Sequence, residues 1–101
     1  MNRIRGSSMI YTCADFKEDK FSKGMQCSVG NFGNDIYAMK CFIADGHNSY
    51  HNEYYKITEE EFIKYPNNGE ELIDKYYKGH SVFLCSDYLG KGHSTYSFET
   101  E

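Results

Sequence analysis

The sequence predicts an α+β domain in which one antiparallel sheet of five or six strands carries two short helices on one face. Three observations lead there. Residues 25–29 and 37–43 alternate large apolar side chains with polar or small ones, the period of a strand. Two helix signatures follow one another between 58 and 79. Strand-like segments lie before and after them, so the order reads ββββααββ, without the strand–helix alternation that builds a parallel sheet.

Residues 9–14 read as a first strand and 15–23 as a charged loop. Met25, Cys27 and Val29 alternate with Gln26, Ser28 and Gly30, as in a half-buried strand. Turn formers fill 30–35. Tyr37, Met39, Cys41 and Ile43 then alternate with Ala38, Lys40 and Phe42, so the two runs form a β-hairpin. A turn at 45–49 leads into a strand over 50–57. Thr58 and Glu61 make a capping box, each side chain bonding the other's backbone amide. Acids at 59–61 suit a helix N-terminus. The helix stops at Tyr65, because Pro66 disfavours helical backbone just before it. Asn68 caps a second helix, with Glu71 at the answering position. Leu72, Ile73, Tyr76 and Tyr77 share one face of it, and Gly79 ends it. Residues 80–88 and 93–100 form a final hairpin, with Tyr96 and Phe98 on one face.

Residues 9–101 are expected to make one domain, long enough for a single modest core. Residues 1–8 hold both arginines and a Gly-Ser-Ser stretch ahead of a second Met, and read as a tag remnant, an alternative start or a flexible arm. Ten Tyr and seven Phe stand against three leucines, Leu72, Leu84 and Leu89, so rings must do much of the burying. The polar tip of Tyr predicts that many rings sit half exposed. No signal peptide or membrane-length apolar run is visible, so a cytoplasmic protein is expected. The four cysteines are expected to be reduced and mostly buried, since Cys27, Cys41 and Cys85 fall inside apolar runs. Plentiful Phe, Tyr, Ile, Asn and Lys with scarce Arg is the mix of an AT-rich genome, such as that of a low-GC bacterium or its phage.

From residue 9 on there are nine Lys and no Arg against fifteen acids, a balance of −6. Without the side chain that grips phosphate with paired bonds, direct nucleic-acid binding is disfavoured and a basic protein partner fits. Acids at Glu59, Glu60, Glu70 and Glu71 are interspersed with Tyr54, Tyr55, Tyr76 and Tyr77. Tyr is enriched at interfaces and acids speed encounter with a basic partner. The leading expectation is a small, non-catalytic binding protein. Concretely, it is an inhibitor, of phage or mobile-element origin, of a host nucleic-acid-binding or defence protein, acting in the host's cytoplasm.

A second expectation is a small-ligand site, for a nucleotide above all, using His47, His51, His80, His93, Lys78 and Lys91, with homo-oligomerisation left open. A third is a His-dependent phosphodiesterase. His80-Ser81-Val82 and His93-Ser94-Thr95 resemble the paired His-x-Ser/Thr units of the two-histidine phosphoesterases, whose histidines act as acid and base. Here the units are only thirteen residues apart, and that family's lie far apart in a longer chain. In one hairpin the rings would start opposite ends, roughly 20–25 Å apart at about 3.4 Å per residue. His47 and His51 have helical metal-site spacing, but Gly46, Asn48 and Asn52 argue for a turn with exposed imidazoles. No Cys-x-x-Cys, Gly-x-Ser-x-Gly or phosphate-cradling loop is present. No metal or cofactor is therefore assigned, and catalysis is not favoured.

Overall fold

The computed structural model describes residues 9–22, 24, 26–33, 35–46, 49–79, 82–87 and 97–99. The strands are β1 (Ile10–Thr12), β2 (Lys17–Phe21), β3 (Cys27–Asn31), β4 (Tyr37–Gly46), β5 (Ser49–Lys56), β6 (Phe83–Ser86) and β7 (Ser97–Glu99). Helix α1 (Glu59–Lys64) and helix α2 (Gly69–Leu72) lie between β5 and β6, and α2 runs on into a wider π-helical segment, Ile73–Lys78. Five strands form an antiparallel sheet in the order β2-β3-β4-β5-β6, and β1 and β7 pair as a separate two-stranded ribbon.

Register divides the sheet into two faces. Cys27, Val29, Met39, Cys41 and Tyr55 lie under the helices, in a core completed by Ile57, Tyr65, Leu72 and Tyr76. On the opposite face Ala38, Tyr54 and Cys85 join Tyr11, Cys13 and Phe32 beneath the ribbon. The α+β class and the helices on one face are as the sequence predicts. The ribbon is the unpredicted third layer. Strand β3 is buried on both faces rather than half-buried, with Cys27, Ser28, Val29 and Gly30 all inside; on the outer face Ser28 bonds Glu18 and Gly30 lies against the β2 backbone.

Three local expectations are corrected, and a fourth, Gly79 as helix end, holds for another reason. Residues 17–21 are a strand, not part of a loop. Its charges act as ties: Lys20 Nζ donates to the Phe62 and Ile63 carbonyls at 2.8 and 3.1 Å, and Glu18 Oε1 accepts from Ser28 Oγ and Lys40 Nζ, both at 3.0 Å. Among the described residues β7 pairs with β1 and β6 with β5, so no ladder joins β6 to β7 as the final hairpin requires. Phe98 stacks on Tyr11 at 5.5 Å and stands edge-on to Phe32 at 4.9 Å, which seats its strand on the ribbon. Asn68 precedes α2, but its side chain does not cap it; Nδ2 donates back to the Glu61 carbonyl at 3.1 Å, and among the described residues Oδ1 has no partner. Gly79 ends the helix at φ −80°, outside the left-handed region. A Cβ there would come 2.6 Å from the Lys75 carbonyl oxygen, so close approach is what requires glycine.

The capping box forms as expected. Thr58 Oγ1 accepts from the Glu61 amide at 3.1 Å, and Glu61 Oε1 accepts from the Thr58 amide at 2.9 Å. The helix yields at Tyr65, whose hydroxyl donates to the Cys27 carbonyl and pins the turn to the sheet. No helix among the described residues is long and apolar enough to cross a membrane.

Candidate functional site

Helices α1 and α2 carry the densest charge. Glu59 and Glu60 open α1, Glu70 and Glu71 open α2, and all four are exposed. Acids are favoured there because the first amides of a helix point their hydrogens outward. Glu60 and Glu71 line one cleft of about 320 Å³ between the helices. Glu60 pairs with Lys64 at 3.6 Å and Asp74 with Lys78 at 3.3 Å, both at the surface where such pairs contribute little. Glu59, Glu70 and Glu71 form no ion pair among the described residues.

Glu61 differs from these four. It accepts from the Thr58 amide, from Tyr76 Oη at 2.7 Å and from Lys75 Nζ at 2.9 Å, tying α1 to α2. Burial pushes its pKa up, but those donors push it down harder, and it falls below the ordinary 4.5. A lowered folded pKa contributes stability that is present above the unfolded value and lost as pH falls through the folded one. Glu61→Gln, which keeps the capping geometry, is therefore expected to flatten the loss of thermal stability between pH 6 and about pH 3. Thermal melts across that range check it, and an unchanged slope would remove Glu61 from the account.

The tyrosines expected beside these acids lie elsewhere. Tyr54 and Tyr55 are buried on opposite faces of the sheet, Tyr76 is buried on the inner side of the π-helical segment, and Tyr77 is half-buried, edge-on to Tyr55. With so little leucine, the rings are spent on the core. The structure thus brings the four acids to the surface and leaves their tyrosines underneath.

Among the predicted ligand residues, His51 is not in a turn but on β5. Its Nε2 lies 3.0 Å from Glu53 Oε2, and Tyr55 Oη donates to Glu53 Oε1 at 2.6 Å. The three side chains follow one another at period two on the helix face, with Cys41 directly across from Glu53. Burial, then the bond to Glu53, pushes the Tyr55 phenol far up, so it serves as a fixed donor. Lys78 is exposed and paired with Asp74. His47, His80, His93 and Lys91 lie outside the described residues. Among the described residues no three His, Cys, Asp or Glu side chains are grouped to hold a metal. All four thiols are buried, and Cys41 and Cys85 are pushed up by a hydrogen bond from a neighbouring thiol and by burial, which favours the unreactive neutral form.

A second surface escaped sequence reasoning. Beyond the ribbon's cover, Phe42 and Tyr50 stack at 4.8 Å, both exposed, and Phe21 is 66% exposed nearby. Phe21 and Phe42 border a cleft of about 250 Å³ that is also lined by Gln26, Ser28, Lys40 and Asn52. The signal was present: Phe42 falls in step with Lys40, on the alternation opposite to Met39 and Cys41.

No protein family, curated protein or solved structure matches this chain.

Proposed function

We propose that this is a non-catalytic binding protein that meets a basic partner surface through the acids of α1 and α2. The observation that carries the reading is the exposure of Glu59, Glu60, Glu70 and Glu71 on the first turns of two adjoining helices, three of them without a cation among the described residues. The acidic, arginine-free composition from residue 9 on supports it, since like charge repels nucleic acid and draws a nucleic-acid-binding protein. The finer reading is an inhibitor of such a protein, or of a defence protein, encoded by a phage or mobile element and acting in the host cytoplasm. AT-rich coding composition supports that origin.

The test is capture from bacterial lysate at low and high salt by the wild type and by the variant Glu59→Gln, Glu60→Gln, Glu70→Gln, Glu71→Gln. One stoichiometric protein is expected at low salt, weakened roughly tenfold or more by the variant and by screening. Equal capture by both proteins would sink the reading.

A second reading is favoured by one observation, the exposed Phe21 and Phe42 beside a cleft, with exposed Tyr50 stacked on Phe42. Flat rings stack on any nucleobase, so a nucleotide or a similar planar ligand suits that surface. No protein capture, together with a rise in melting temperature on adding nucleotide, would move the assignment there.

A further inference from the structure

Every cysteine of the chain has another cysteine as its neighbour. Cys13 Sγ lies 3.5 Å from Cys85 Sγ, under the ribbon. Cys27 and Cys41 stand directly opposite each other on β3 and β4, both buried under the helices. The Phe42 amide donates to the Gln26 carbonyl at 3.2 Å, which makes 26 and 42 a hydrogen-bonded pair and 27 and 41 a non-bonded one. Residues in such a pair have Cα atoms about 4.5 Å apart, within the span a disulfide bridges. The sheet separates the two pairs, so of the three pairings that four cysteines allow, the fold brings only one into contact.

We propose that Cys13–Cys85 and Cys27–Cys41 are two disulfide sites, preset by the fold and formed on exposure to an oxidising disulfide such as oxidised glutathione. The thiolate of one cysteine attacks the oxidant's sulfur and releases one reduced glutathione. The neighbouring thiolate attacks the mixed disulfide and releases the second. Each site thus gives up two electrons and two protons, which leave on the two glutathiones, and the new bond joins the two protein sulfurs. The sulfurs are buried, so oxidation waits on local opening. The ribbon has only three residues in each strand, whereas Cys27 and Cys41 lie at the centre of the sheet. Cys13–Cys85 therefore forms first. Its bridge closes the longer loop and contributes the greater stabilisation.

The experiment takes the full reduced chain, with oxidised glutathione, with and without urea below the unfolding midpoint. Intact mass and peptide mapping without reductant are read over time. The expected result is loss of two hydrogens per bridge and cross-linked peptides of only two kinds, 13 with 85 and then 27 with 41. The melting temperature should rise by roughly 10 °C or more and fall back on reduction. Cys85→Ala should form the 27–41 bridge alone and hold one glutathione on Cys13. Four free thiols after prolonged treatment, stable adducts in the wild type, or a bridge between cysteines of different faces would overturn the proposal.

Discussion

Gly30→Ala is expected to cost roughly 3 kcal/mol or more, one of the largest effects of any single methyl group in this protein. A Cβ at this position would lie 2.0 Å from the Lys17 carbonyl oxygen and 2.9 Å from the Glu18 Cα. Both are backbone atoms of β2, so no rotamer change relieves the clash and the strand must move away. With it go the pairing of Glu18 with Gly30, the ties from Glu18 to Ser28 and Lys40, and the Lys20 bonds to the end of α1. For a chain of this size, that loss corresponds to a fall in melting temperature of roughly 12 °C or more. Hydrogen exchange should rise across residues 17–21 while β4 and β5 stay protected. A variant that melts with the wild type would show that β2 is not held this closely.

The second large effect is at Tyr55, which has no exposed surface. Its ring stands edge-on to Phe83 at 5.6 Å and Tyr77 at 6.5 Å, and its hydroxyl donates to Glu53. Tyr55→Ala opens a cavity in the helix-face core and is expected to cost about 3–5 kcal/mol. Tyr55→Phe keeps the ring and takes only the donor from the carboxylate, a cost of about 1–3 kcal/mol. Equilibrium denaturation of the two variants separates ring from hydroxyl. Near-equal losses would mean that the bond to Glu53, not ring packing, dominates there. Because the folded pKa of Tyr55 is raised above 10.0, its protonated form contributes stability that is full below that pH and lost as pH climbs through the folded value. Tyr55→Phe should remove that part of the alkaline loss.

The elements legible in the sequence are those whose cause is local. Thr58 and Glu61 announce a helix start three residues apart, Pro66 its end, and period two in 37–43 a strand. What was not legible depends on partners far along the chain. Lys17-Glu-Asp-Lys-Phe21 shows no alternation, and it is a strand because β3 offers an edge and a bulge between Glu18 and Lys20 absorbs the misfit. Nothing near Phe98 says that its strand will pair with residues 10–12. The candidate site divides the same way. The exposed acids of two helix starts follow from local rules. The fate of Tyr54, Tyr55 and Tyr76 follows from the scarcity of leucine across the whole chain, which turns surface candidates into core.

The pairing of Ile10–Thr12 with Ser97–Glu99 also sets a timetable for the chain as it is made. The β2–β5 meander joins sequence neighbours and can pair soon after each strand leaves the ribosome. Tyr11 and Phe32, by contrast, wait for Phe98, and at about 5–20 residues per second that wait is roughly 3–17 s. Once Tyr76 is made, the helix side can close while the aromatic side stays open. Anything that stalls translation short of residue 97 leaves Tyr11 and Phe32 without the ring that covers them.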